Sequence, residues 1–203
     1  VPRFEHFENS KFKEIAFEDK KQNLAVEAFR SLRTNIKLSN PDNVIKKILV
    51  TSSISKEGKT TVSTNLAVGY SFAGKKVILI DADMRKPRIH KMFGLKNEIG
   101  LSNLIVGEHT IDQSVNKNVY EGLDLLTCGP IPPNPAELLE SHRFIDLLKE
   151  ISGIYDIVIF DSPPLHPVSD AATVASLMDG VVLVVNINKT PRDIFKAAVS
   201  KIT

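Results

Sequence analysis

The run Ser53-Ile54-Ser55-Lys56-Glu57-Gly58-Lys59-Thr60 ends in the three residue types that together hold a polyphosphate. Glycine at 58 lets the backbone approach phosphate oxygens closely, and N–H groups at the start of a following helix point at them. Lys59 can neutralise charge on the outer phosphates, and the Thr60 hydroxyl is a hard oxygen ligand suited to Mg²⁺. The run matches the Walker A pattern x-x-x-x-x-G-K-[ST], with Ser53 standing where the first glycine usually is. Gly-Lys-Thr alone also describes a helix cap beside an exposed lysine. The context separates the two: an apolar strand stops just before this loop, and an amphipathic helix starts at its end. Ser55, Lys56, Glu57, Gly58, Lys59, Thr60 and Thr61 are therefore the expected nucleotide contacts, with ATP and Mg²⁺ as the expected ligands.

Carboxylates complete the constellation. Asp161 closes the apolar run Ile157-Val158-Ile159-Phe160, a Walker B pattern that suits it to hold Mg²⁺. Asp81 closes a second apolar run, Val77-Ile78-Leu79-Ile80, and Asp83 lies two residues further on, on the same side of an extended chain. Asp81 and Asp83 with Arg85 beside a triphosphate can orient a nucleophile, accept its proton and balance transition-state charge. The plainer reading is that the two aspartates cap the next helix and pair with Arg85 or Lys86. Placement beside the phosphate loop favours the chemical one, because open parallel sheets bind ligands beyond the carboxyl ends of their strands.

The elements that position these residues follow from periodicity. Leu24, Ala28, Leu32 and Ile36, flanked by Ala25 and Phe29, predict an amphipathic helix from about residue 21 that stops at Ser39-Asn40-Pro41-Asp42. Strands are predicted over 47–51, 77–80, 123–126, 157–160 and 181–185, and helices from 59, over 136–151, over 170–177 and from 192. Residues 86–122 read as short helical pieces and loops, and 129–135 as a rigid proline-rich loop. Short apolar strands alternating with helices indicate a sheet covered on both faces. The fold class is α/β: a doubly wound, mostly parallel sheet with a phosphate loop and an N-terminal helical extension. Residues 1–20 read as an arm or linker and 21–203 as a single domain.

A length of 203 residues, 42% hydrophobic and 25% charged, suits one globular domain. A net charge of +2 gives no reason to expect nucleic acid as a partner, and one cysteine, Cys128, excludes an internal disulfide framework. Cys128 reads as a small apolar residue at a strand end. The five histidines show no ligand spacing. No apolar run approaches the roughly 18 residues needed to cross a bilayer, and no signal peptide is visible, so a cytoplasmic location is expected. The sequence begins at Val1, which reads as a processed product or fragment, and residues 1–3 are set aside.

Taken together, the phosphate loop, Asp81-Ala82-Asp83-Met84-Arg85-Lys86-Pro87 and Phe160-Asp161-Ser162-Pro163-Pro164 resemble the three nucleotide motifs of bacterial tyrosine kinases. Gly129-Pro130-Ile131-Pro132-Pro133-Asn134-Pro135-Ala136-Glu137-Leu138-Leu139 is similar to that family's proline-rich loop. Glu27-Ala28-Phe29-Arg30-Ser31-Leu32-Arg33 resembles its E-x-x-R-x-x-R oligomerisation motif. The resemblance implies a deviant-Walker (MinD-like) fold and an ATP-dependent protein-tyrosine kinase acting on a tyrosine-rich tail of a neighbouring subunit. It also implies a homo-oligomeric ring and a membrane-embedded activator of capsule or exopolysaccharide export, which would hold the chain at the inner face of the membrane. By position, Lys59 and Thr60 handle phosphates and Mg²⁺, Asp81 is a base or metal-orienting carboxylate, Asp83 its companion and Asp161 a Mg²⁺ ligand. Spacing alone allows Glu27, Arg30 and Arg33 to be either an ion pair on a solvated flank or a docking patch. The resemblance selects the patch.

The sequence also departs from the family. Ser55 and Lys56 stand where proline and glycine are usual, and Lys56 either adds charge near the phosphates or faces water. The resemblance implies a further strand and a tyrosine cluster after the last helix, whereas the tyrosines here are Tyr70, Tyr120 and Tyr155. Truncation is the expectation. Two other functions share much of this pattern. A deviant-Walker regulatory ATPase would carry a signature lysine five residues before Lys59, where this chain has Ile54. A nucleotide-binding scaffold would assemble without phosphotransfer.

Overall fold

A strand buried on both faces reads as a continuous apolar run, and the sheet here is built from such runs. The computed structural model describes residues 14–18, 23–167 and 170–202. In it β1 (Lys47–Ser52), β2 (Val77–Asp81), β3 (Val115–Tyr120), β4 (Leu123–Leu126), β5 (Ile157–Asp161) and β6 (Gly180–Val184) form one sheet in the order β3-β4-β2-β5-β1-β6. All neighbours are parallel except β3 with β4. Alternate side chains feed two cores. Ile48, Val50, Leu79 and Ile159 pack with Phe29 of α1 (Asn23–Ser39) and Leu66 of α2 (Lys59–Ser71). Leu49, Ile80, Val158 and Phe160 face the other way, toward α4 (Leu101–Val106) and α7 (His142–Ile154), where Leu104, Phe144 and Ile151 lie. The remaining helices are α3 (Ile89–Met92), α5 (Ile111–Ser114), α6 (Pro135–Glu140), α8 (Asp170–Ala175) and α9 (Arg192–Val199). Among the described residues no helix is long and apolar enough to cross a membrane.

Three readings need correction. Residues 115–120, read as part of a loop and helix region, are the antiparallel edge strand β3. Its polar sequence and an irregularity between Asn116 and Tyr120, with Asn118 at φ 52°, hide the two-residue period. An edge strand tolerates both. The helix expected over 136–151 is two helices, because Ser141 adopts extended backbone and caps α7 by accepting the Phe144 N–H. In α1, Leu24 is 82% exposed, and the buried stripe runs instead through Ala25 and Phe29, with Leu32 and Ile36 partly covered. Residues 14–18, within the expected arm, pack on α2: Ile15 and Ala16 are buried, and the Ala16 N–H donates to Asn65.

Candidate functional site

The sheet brings the predicted carboxylates together by register. Asp81 and Asp161 are direct partners across the β2–β5 pair, so both side chains leave the carboxyl end of the sheet side by side. β1 lies next to β5, and the loop following β1 delivers the phosphate-binding residues to the same place.

That loop turns through two left-handed residues, Lys56 at φ 66° and Gly58 at φ 92°. A non-glycine residue in this region costs about 1 kcal/mol, so Lys56 carries a small strain where glycine would carry none. Its side chain is exposed. Ser55 is exposed as well. Gly58 caps α2 without a side-chain hydrogen bond, leaving the first N–H groups of the helix as donors for an anion. Glu57 is buried and turned away from the helix N-terminus. One oxygen accepts the Ile54 N–H at 2.8 Å; the other accepts the Asn186 N–H at 2.8 Å and the Thr190 hydroxyl. It therefore ties the phosphate loop to the segment after β6, a contact no motif announced. Thr61 donates to Glu14 at 3.1 Å.

Lys59 is the hub. Its Nζ lies 2.8 Å from Asp83 Oδ2 and 3.7 Å from Asp161 Oδ2, with all three side chains largely buried. The Thr60 hydroxyl donates to Asp161 Oδ2 at 2.7 Å. Asp81 Oδ2 accepts the N–H groups of Arg88 and Ile89, each at 3.0 Å, and its Oδ1 takes the Asp83 N–H at 3.3 Å. The Lys86 N–H donates to Asp83 Oδ1 at 3.0 Å. Asp81 thus receives backbone donors at the start of α3, as the capping reading expects. The expected pairing of Arg85 or Lys86 side chains with Asp81 or Asp83 is not made. Arg85 instead forms a two-pronged ion pair with Asp170 at the start of α8, at 2.7 and 3.0 Å.

Three carboxylates facing one lysine leave an excess of negative charge in a largely buried site, and Asp81, Asp161 and Lys59 are shifted by it. Burial, then the neighbouring Asp161, pushes Asp81 up to about 7 against the pull of the Ile89 and Arg88 N–H groups. Burial raises Asp161 as well, opposed by Lys59 and Thr60. For Lys59 burial acts downward, but Asp161 and Asp83 outweigh it and raise the group. Asp161 Oδ1 is buried and has no hydrogen-bond partner among the described residues. An orphaned carboxylate oxygen beside a threonine hydroxyl offers hard oxygen ligands whose chemistry would suit Mg²⁺. Cys128 is buried, and burial pushes its thiol up to about 12, as the apolar reading expects.

Comparison with known proteins separates the functions that share this geometry. A family model described as an AAA domain matches residues 45–192. The chain is 44% identical over 172 residues to "Tyrosine-protein kinase YwqD" of Bacillus subtilis, covering 85% of this chain and 73% of that protein. It is 42% identical over 185 residues to "Putative tyrosine-protein kinase CapB" of Staphylococcus aureus, covering 91% and 81%. The chain belongs to the bacterial tyrosine kinase family. Among solved structures, the chimerical protein CapA2B2 superposes with a TM-score of 0.89 at 38% identity, covering 94% of this chain and 84% of that one.

Within this kinase fold, the residues expected to serve oligomerisation divide. Glu27 and Arg30 pair at 2.5 Å with both side chains more than half exposed. Arg33 lies on the inner side of α1 and donates to the Gly69 carbonyl of α2. The three therefore do not lie along one flank as their spacing suggested: the helical turn carries Arg33 over the P-loop helix. The proline-rich loop is pinned by Asn97, which donates to the Gly129 carbonyl at 2.7 Å and accepts the Gly129 N–H at 2.9 Å. Neither Asn97, Glu57's partners nor Asp170 had a spacing signal, because each acts through a contact remote in sequence.

Proposed function

We propose that this bacterial tyrosine kinase uses the Lys59–Asp83–Asp161 cluster to transfer the γ-phosphoryl group of ATP to tyrosines of a neighbouring subunit, regulating capsular or extracellular polysaccharide synthesis and export. The observation that supports it is the convergence of Lys59, Thr60, Asp81, Asp83 and Asp161 at the carboxyl ends of β1, β2 and β5. In this reading Lys59 exchanges Asp83 for phosphate oxygens, with the loop backbone from Ser55 to Thr61 around them. Mg²⁺, when bound, supplies positive charge to the phosphates; Thr60 and Asp161 would hold it, with Asp81 orienting it or serving as the base. The tyrosine oxygen forms its bond to phosphorus, its proton passes to the acidic pair, and the bond to ADP breaks. Arg85, tied to Asp170, acts by keeping the segment after Asp83 in place.

The acceptor tyrosine comes from elsewhere than the three in this sequence. Tyr70 and Tyr155 are buried, and Tyr120 is partly covered on the edge strand. Residues 21–203 act as one kinase domain. Glu27 and Arg30, with Leu24 exposed one turn earlier, supply the patch that docks a neighbouring copy in a ring. A membrane-embedded activator holds the assembly at the cytoplasmic face.

The reading is tested by following phosphotyrosine and ADP in one reaction containing Mg²⁺-ATP and a tyrosine-rich peptide. The two should appear in equal amounts. ADP release without phosphotyrosine would move the chain to the regulatory ATPases despite Ile54, and binding with neither product would leave a scaffold.

A further inference from the structure

Beyond Asp83 the chain runs through Arg85, Lys86, Pro87, Arg88 and Lys91, and these residues line an open groove of about 600 Å³ together with His90, Asn97 and Ile131 of the proline-rich loop. Four cations line it and no carboxylate does. Arg85 and Arg88 are answered from outside the groove by Asp170 and Glu14. Lys86 and Lys91 are exposed and have no ion pair among the described residues. Two positive charges are therefore left uncompensated, and nothing in the phosphate-loop chemistry uses them.

The groove is held rigidly against the site. The Lys86 N–H is bonded to the Asp83 oxygen that Lys59 leaves free, and the Arg88 N–H to Asp81. The paired hydrogen bonds of Asn97, which also lines the groove, fix the proline-rich loop at Gly129. A preformed anion-attracting surface thus starts at the acidic pair and leads away from the P-loop. We propose that this groove is the recognition subsite for an acidic acceptor peptide, with Lys86 and Lys91 binding carboxylate or phosphorylated side chains that flank the tyrosine. The occupant follows from the chemistry: Pro87 and Ile131 offer apolar contact for peptide and ring, the lysines offer charge, and the volume suits a few residues of extended chain. The proposal rests on the kinase reading and adds the class of sequence the site prefers.

The test compares two peptides of the same length around one tyrosine, flanked by glutamates or by glutamines, as substrates for the wild type and for the Lys86→Glu/Lys91→Glu variant. At low salt the wild type should show a KM roughly tenfold lower for the glutamate peptide, with the ratio shrinking as salt screens it. The variant should lose or invert that preference while KM for ATP and kcat stay unchanged. Equal KM values for the two peptides, or an undiminished preference in the variant, would overturn the groove assignment and leave the kinase reading standing. Absence of phosphotyrosine on both peptides would remove the kinase reading and this proposal with it. Competition by a single-stranded oligonucleotide as effective as that by the glutamate peptide, and lost in the same variant, would assign the groove to nucleic acid instead.

Discussion

Lys59→Met is expected to lower tyrosine phosphorylation by about 10²–10³-fold or more, the scale for removing a positioned charge from a developing phosphoryl anion. A second effect follows from the apo geometry. Lys59 is the cation within ion-pair reach of both Asp83 and Asp161, whose side chains are 6% and 1% exposed. Removing one partner of a buried pair costs about 3–5 kcal/mol when the remaining charge stays. The variant can escape part of this by protonating. Asp161 is already raised by burial, and loss of the lysine that opposes that rise moves it further up. A carboxyl whose folded pKa lies above its unfolded value contributes stability at low pH that is lost as pH rises through the folded pKa. Denaturant unfolding should therefore show a larger gap between wild type and Lys59→Met at pH 8 than at pH 5. A pH-independent gap, or labelling within tenfold of wild type, would contradict this account of the hub.

The second large effect concerns the frame behind the site. A Cβ at Gly100 would lie 2.3 Å from both the Gly129 nitrogen and the Thr127 oxygen, and 2.7 Å from the Cys128 carbonyl carbon. These are main-chain atoms, and they cannot retreat freely. The Leu101 and Ser102 N–H groups donate to the Thr127 and Cys128 carbonyls at 2.8 and 2.9 Å, so moving α4 away breaks the bonds that hold it to the strand end. Overpacking ordinarily costs about 1–3 kcal/mol, and backbone against backbone belongs at or beyond the upper end. Gly100→Ala should lower stability by at least about 3 kcal/mol in urea. Gly153→Ala is the control: nothing lies within 4 Å of its Cβ and it sits inside α7, so it should be neutral or stabilising by up to about 1 kcal/mol. An unchanged midpoint for Gly100→Ala would mean that α4 does not dock there.

Much of the site was readable because its residues sit at strand ends. Asp81 and Asp161 each close an apolar run, and Lys59 and Thr60 follow another, so topology alone places them together. What the residue pattern could not supply were contacts between segments remote in sequence. Arg85 looked available to Asp83 two residues away, yet Asp170, 85 residues on, holds it. Glu57 looked like a phosphate-loop residue, yet its carboxylate reaches 129 residues on to Asn186. The strand at 115–120 was missed because an irregular, polar edge carries no alternation. Leu24 was assigned to the buried stripe because the four-residue spacing fits it as well as it fits Ala25. Only the packing of Phe29 against the sheet decides which side of the helix turns inward.

Phosphoryl transfer is expected to occur at the cluster around Asp161. The most direct measurement follows label from the γ-phosphate of ATP onto a peptide tyrosine across a Mg²⁺ titration, for the wild type and for Asp161→Asn. Asparagine keeps the shape and an acceptor for Thr60 but removes the charge on the orphaned oxygen. Wild-type labelling should saturate with Mg²⁺ and vanish in chelator, while the variant should need more Mg²⁺ and label at least about 100-fold more slowly. Equal labelling by the two proteins at every Mg²⁺ concentration, or tyrosine labelling by the wild type in chelator, would contradict it.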